Sequence, residues 1–277
     1  MEGDGELVVL LPPAVTGPGL WQLHLQPALV AAGYRVLGVE YDALDLGGRS
    51  SIDDLIPALA DGVADAAARE DPRPFRLVGA SFGALVAQEV LIRSPGRVTA
   101  ASLMGARCRT DFLRERWALA MAGRIRTGCP INPASAVASL LQLFSPVTLN
   151  DPGLAEEWLT LLEMAELGGV LAARQFEASV IPNRTDALRS VPARCLVVAF
   201  SDDILTPPAL CQEVAAAIPA ARYLEVERCG HFGFVERAEL VAAEIISFLK
   251  ADPGDHDRPA GVVPHSRYVR PSEVSQK

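Results

Sequence analysis

Short apolar runs alternate along the chain with longer stretches in which apolar residues recur every three or four positions. This alternation predicts an α/β protein, a mainly parallel sheet of about six strands with crossover helices on both faces. Strands are predicted at residues 7–11, 35–41, 75–79, 98–104, 195–200 and 223–226. They are mostly unbroken Val, Leu, Ile and Ala, as strands covered on both faces require. Helices are predicted at 21–32, 53–69, 82–93, 208–218 and 236–250. Pro207-Pro208 behind Thr206 marks one helix start, since proline is tolerated in a first turn.

The alternation stops between about residues 107 and 191. Four consecutive helices are predicted there instead, at 111–126, 133–144, 153–166 and 168–179. Turn signals separate them at Gly128-Cys129-Pro130, Ser145-Pro146 and Asn150-Asp151-Pro152. The expected organisation is a core of residues 1–106 and 191–250 with a helical cap, 107–190, inserted into it. Such a block sits over the carboxyl ends of the strands, where open α/β sheets bind ligands. Residues 251–277 carry four prolines and no periodicity, and are expected to form a disordered tail.

Composition narrows the function classes. A net charge of −9 argues against nucleic-acid binding and against attraction to an anionic membrane. The five cysteines (108, 129, 195, 211, 229) form no CxxC pair and no zinc-like spacing. Their odd number and scatter favour reduced thiols in a cytoplasmic protein. The acidic start, Met1 to Glu6, is unlike a secretory signal, and no apolar run approaches 18 residues. Heavy use of Ala, Arg, Gly and Pro points to a bacterium with a GC-rich genome.

Gly79-Ala80-Ser81-Phe82-Gly83 follows a predicted strand and opens a predicted helix. A serine nucleophile needs such a tight strand-to-helix turn to lift its hydroxyl off the sheet. The flanking glycines give the backbone room, and the helix N-terminus offers free N–H groups to an oxyanion. With this motif the chain resembles the α/β-hydrolase superfamily, over about residues 6–250. The resemblance implies the order Ser, Asp, His, with the acid after a late strand and the histidine after the last. Ser201-Asp202-Asp203-Ile204-Leu205-Thr206-Pro207 is similar to the family's acid loop, where the catalytic Asp precedes Thr-Pro by three residues. That selects Asp203 over Asp202. Of four histidines, His256 and His265 lie in the tail and His24 near the first helix. His231, in Cys229-Gly230-His231-Phe232-Gly233, follows the last core strand and leads into Glu236-Arg237, much like the family's Gly-His segment. His24 is read as structural.

The oxyanion loop departs from the family pattern. Pro12-Pro13-Ala14 stands where the family commonly has His-Gly and an apolar residue. Prolines donate no N–H, so the amides of Ala14 and Phe82 are the candidate oxyanion donors. The expected function is hydrolysis of an ester or thioester through Ser81, His231 and Asp203, with neither metal nor organic cofactor. Two rivals are a triad-bearing acyltransferase, eliminase or cyclase, and a non-catalytic binding protein on the same fold. The first stretch of the cap, residues 107–126, carries six arginines (107, 109, 114, 116, 124, 126) against Asp111 and Glu115, a local excess of +4. This reads either as a solvated face or as a docking surface for a carboxylate, coenzyme A or an acidic carrier protein. Trp117, Met121, Leu140, Phe144, Trp158 and Met164 read singly as packing, and together as walls of a hydrophobic acyl pocket.

Overall fold

All five residues of the first apolar run are buried, because helices cover both faces of the sheet it enters. A computed structural model describes residues 2–46, 48, 51–128, 132–164, 170–219, 221–251 and 261–263. The strands are β1 (Leu7–Leu11), β2 (Arg35–Gly38), β3 (Phe75–Ala80), β4 (Val98–Met104), β5 (Arg194–Phe200), β6 (Ala221–Val226) and β7 (Gly261–Val263). They form one sheet in the order β2-β1-β3-β4-β5-β6-β7, and every pairing is parallel. Leu7, Val9 and Leu11 pack toward α3 (Leu55–Glu70) and α4 (Phe82–Arg93). Val8 and Leu10 face the other way. There they meet side chains of α1 (Gly19–Gln22), α2 (Leu25–Ala31) and α13 (Ala238–Lys250).

The chain leaves β1 for β2 on one side and returns to β3 on the other, so the strand order reverses at β1. A crevice opens at the carboxyl edge of such a reversal. Leu11 is in register with Gly79, so the loops leaving β1 and β3 emerge side by side. Between β4 and β5 lie the consecutive helices α5 (Phe112–Arg126), α6 (Pro133–Leu143), α7 (Pro146–Leu149), α8 (Pro152–Met164) and α9 (Val170–Ala178), followed by α10 (Thr185–Leu188). The remaining helices are α11 (Pro208–Ala217) and α12 (Gly233–Glu236). Among the described residues, no helix is long and apolar enough to cross a membrane.

Several elements differ from the sequence reading for identifiable reasons. The single helix expected over 21–32 is broken into α1 and α2, with His24 at φ −145° between them. Pro27 explains the break, since it cannot donate to Leu23 and its ring would crowd that carbonyl. The helix expected from 236 breaks at Arg237, and β2 ends at Gly38 rather than running to Tyr41. Ser145-Pro146, expected as a turn, begins α7, with Ser145 Oγ accepting from Thr148 N. Gly261–Val263, inside the segment expected to be unstructured, pairs with β6 as a seventh strand. Two consecutive valines are too short a run to show a period. The rest of the expected tail, 252–260 and 264–277, lies outside the described residues, as do His256, His265 and Cys129.

Candidate active site

The turn after β3 holds Ser81 at φ 53°, ψ −114°, a conformation that non-glycine residues rarely adopt. Close packing leaves the turn no alternative. A Cβ on Gly79 would lie 2.4 Å from Gly83 O, and one on Gly83 would lie 2.1 Å from Leu11 O. Ser81 N donates to Met104 O at 2.9 Å, pinning the turn to the end of β4. The glycines of the motif are therefore needed for backbone approach, and the serine is left at the sheet's carboxyl edge.

Two further loops meet Ser81. Its Oγ lies 2.8 Å from His231 Nε2, and His231 Nδ1 lies 2.7 Å from Asp203 Oδ2. Both His231 and Asp203 are buried. Asp203 Oδ1 accepts from Leu205 N at 2.8 Å and Thr206 N at 2.7 Å. This local turn orients the carboxylate and accounts for the Asp-to-Thr spacing. Asp202 faces elsewhere: its N donates to Cys229 O, and its Oδ1 accepts from Ser201 Oγ at 3.2 Å. The structure thus brings Ser81, His231 and Asp203 into one hydrogen-bonded line and leaves Asp202 out of it. His24 is not among the residues around Ser81.

Ala14 and Phe82 both line the cavity in front of Ser81. Phe82 is the first residue of α4, where amides have no intrahelical acceptor. The Pro12–Ala14 loop is held by groups that sequence reasoning missed. Tyr41 Oη donates to Pro12 O at 3.0 Å, and burial pushes its phenol pKa up, keeping it a donor. Thr16 Oγ1 donates to Pro13 O at 2.9 Å, and Val15 N donates to Gln175 Oε1 on α9 at 2.7 Å.

The histidine loop has its own anchor in Glu236. Its Oε1 accepts from Ser145 N, Ser145 Oγ and Thr148 Oγ1, and its Oε2 accepts from Gly230 N at 2.6 Å. Burial nevertheless holds this carboxyl above the usual range. Phe232 N donates to Leu143 O at 2.9 Å, and a Cβ on Gly230 would lie 2.5 Å from Phe144 C. A glutamate among apolar residues (Phe234-Val235-Glu236) was the available sequence signal for this anchor.

The cavity has a volume of about 190 Å³ and is walled largely by apolar groups, including Leu85, Trp117, Leu143, Leu162, Phe176 and Phe232. Of the apolar cap residues singled out from sequence, Trp117 alone lines it. Leu140, Phe144 and Trp158 are buried packing residues, Met121 packs beside Ala122, and Met164 is 73% exposed. The arginine cluster is largely committed internally. Arg109 makes a two-pronged pair with Glu213, and Arg126 pairs with Glu177. Arg114 pairs with Asp111 and donates to Ile204 O and Leu205 O in the acid loop. Arg116 lies over the Phe112 ring. Cys108, Cys195, Cys211 and Cys229 are buried free thiols, and burial raises the Cys195 pKa to about 12.

A strand-order reversal with a hydroxyl, an imidazole and a carboxylate hydrogen-bonded in line at its edge is a known family arrangement. The model described as "Alpha/beta hydrolase family" matches residues 8–244, and the chain belongs to that family. Among its relatives is a Mycobacterium tuberculosis protein named "Putative non-heme bromoperoxidase BpoC". It is 36% identical over 252 residues, covering 89% of this chain and 95% of that one. The crystal structure of that protein matches with a TM-score of 0.81 at 33% identity, covering 90% and 93% of the two chains. The pimeloyl-acyl-carrier-protein methyl ester esterase of Neisseria meningitidis is 27% identical over 241 residues, covering 83% and 75%. A thermophilic esterase from Thermogutta terrifontis shares the fold, with a TM-score of 0.74 at 23% identity and 90% coverage of both chains.

Proposed function

We propose that the protein is a serine hydrolase that cleaves a small acyl ester or thioester through an acyl-enzyme on Ser81. The observation that carries this reading is the continuous hydrogen-bonded line Ser81 Oγ, His231 Nε2, His231 Nδ1, Asp203 Oδ2. As Oγ attacks the carbonyl carbon, its proton passes to His231 Nε2. Asp203 stays ionised, holds the proton on Nδ1 and stabilises the imidazolium. The tetrahedral oxygen takes its negative charge between the amides of Ala14 and Phe82, the latter at the positive end of α4. His231 then protonates the leaving alcohol or thiol, and water releases the acyl group by the same route in reverse. In this reading residues 107–190 act as the cap that closes an apolar cavity over Ser81.

The esterase activity in the names of the meningococcal and Thermogutta proteins supports ester cleavage as the reaction class. The carrier-bound substrate in the first name is not the one favoured here. Three of the cap's six arginines pair with carboxylates of the protein and Arg107 is buried, which removes most of the basic surface an acidic carrier would need. A free small-molecule ester fits a cavity of about 190 Å³ better. Labelling with a fluorophosphonate probe tests the reading. The wild type is expected to label at Ser81 and Ser81→Ala not at all, with turnover lower by up to about 10⁶-fold. Full activity in Ser81→Ala overturns it.

A further inference from the structure

Arg107 is 8% exposed and lines the same cavity as Ser81 and His231. Its guanidinium donates only to neutral oxygens. Nη1 reaches Thr110 Oγ1 at 2.8 Å and Arg109 O at 3.4 Å, and Nη2 reaches Ser179 O at 2.6 Å. Among the described residues no carboxylate pairs with it. Asp111, whose charge does act on it, is committed to Arg114 through both carboxylate oxygens. Burial lowers the Arg107 pKa to about 10, so the group is still a cation at neutral pH. An uncompensated buried cation is costly, and proteins retain one where a counter-charge arrives.

Three more observations say where that charge would come from. Five N–H groups are available on a guanidinium, and these bonds leave Nε–H and one Nη2–H uncommitted. Among the described residues, the cavity wall also contains Arg114 and no Asp or Glu. Finally, Arg107 stands two residues after Gly105, where a Cβ would lie 3.4 Å from His231 Cε1. Two residues span at most about 7 Å, so the Arg107 backbone starts close to His231, and its side chain lines the same cavity as Ser81. The cavity volume, about 190 Å³, lies below the roughly 300–1,000 Å³ of sites for drug-sized ligands, which limits the acyl group to a short chain.

We propose that Arg107 binds a carboxylate at the far end of the acyl group, so that the preferred substrates are half-esters of short dicarboxylic acids. This rests on the serine-ester chemistry proposed above and adds its substrate class. Arg107 also ties the start of the cap to Ser179, just past the end of α9, where a cation suits the helix carbonyls. That tie alone explains the hydrogen bonds. It leaves unexplained an unpaired charge in the wall of a largely apolar cavity.

The test compares monomethyl glutarate with its isostere in which an isopropyl group replaces the carboxylate, each followed by pH-stat titration. The wild type is expected to favour the charged ester in kcat/KM by on the order of 10- to 100-fold, the worth of a charge-assisted hydrogen bond. Arg107→Gln should erase most of that preference, and Arg107→Lys, which keeps the charge but not the fork, should retain part of it. A purely structural Arg107 instead lowers both esters by the same factor. Preference of the wild type for the neutral isostere overturns the proposal, even if neither variant folds. Ser81→Ala separates the two readings. If it abolishes hydrolysis while the wild type shows no charge preference, only the substrate assignment falls; if both esters are still cleaved, the serine mechanism falls.

Discussion

The amide of Val15 donates to Gln175 Oε1 at 2.7 Å, joining the loop after β1 to α9, 160 residues away. Val15 sits at φ 57°, a conformation that a β-branched residue adopts only when its surroundings insist. Gln175 is itself buried, so the acceptor end of the bond is withdrawn from bulk water. Removing the acceptor in Gln175→Ala leaves the Val15 donor unpaired and lets the Pro13–Thr16 turn relax, moving the Ala14 amide. We expect kcat to fall about 10- to 100-fold with little change in KM, somewhat less than the 10²–10³ for outright loss of an oxyanion donor. Gln175→Glu, which keeps an acceptor, should recover part of the loss. Steady-state kinetics on one short ester decides it, and an unchanged kcat in the alanine variant sinks the positioning role.

The two adjacent aspartates should behave very differently. Asp203 accepts two backbone N–H bonds and faces His231, whereas Asp202 faces Ser201. Asp203→Asn is expected to cost on the order of 10⁴ in kcat by disturbing the imidazole tautomer. Asp202→Asn should stay within about threefold of wild type, as expected away from the reacting groups. The opposite ranking in kcat would mean that the acid was wrongly assigned.

Glu236 should give the stability a pH dependence of definite sign. Its carboxyl is held above the ordinary value of 4.5 in the folded state, first by burial, with the hydrogen bonds from Thr148, Ser145 and Gly230 only partly opposing this. The folded state therefore binds the proton more tightly than the unfolded chain does. Stability from this group is full below 4.5 and is lost as pH rises through the folded-state value. Relative to Glu236→Gln, which does not titrate, the wild type should lose stability as pH rises through that window. Urea midpoints measured from pH 4 to 7, a range chosen to span it, test the sign. A difference that grows with pH in favour of wild type contradicts it.

Truncation after Ala251 removes β7 and bares the edge of β6. None of the described residues around Ser81 lies in the removed segment. We expect kcat/KM to remain within about twofold, while the uncovered strand edge raises the tendency to self-associate. Light scattering during storage, alongside activity, checks both halves. A large fall in kcat would show that the segment reaches the active site.

Much of this architecture could be read from residues close together in the chain. Unbroken apolar runs placed six parallel strands, because burial on both faces leaves no polar alternation. Ser81 was legible because its turn is built from neighbours: Gly79 and Gly83 supply the backbone room, and the strand and helix on either side are strongly patterned. Asp203 was selected by family resemblance, and the reason that spacing works is also local, since the side chain closes onto the amides two and three residues ahead. Pro27 carried a readable break in the first helix that the apolar periodicity masked.

Contacts between distant segments left no such mark. Nothing near Gln175 indicates that it would meet Val15, and the cluster of arginines reads as surplus charge until Glu213, Glu177 and the acid-loop carbonyls are folded against it. Apolar cap residues look interchangeable in sequence, yet Trp117 walls the cavity while Phe144 and Trp158 pack against each other at 4.8 Å. Backbone propensity and burial periodicity act over a few residues, so a linear chain displays them. Charge compensation, cavity shape and the bracing of an oxyanion loop depend on which surfaces meet, and that is settled by packing across the whole molecule.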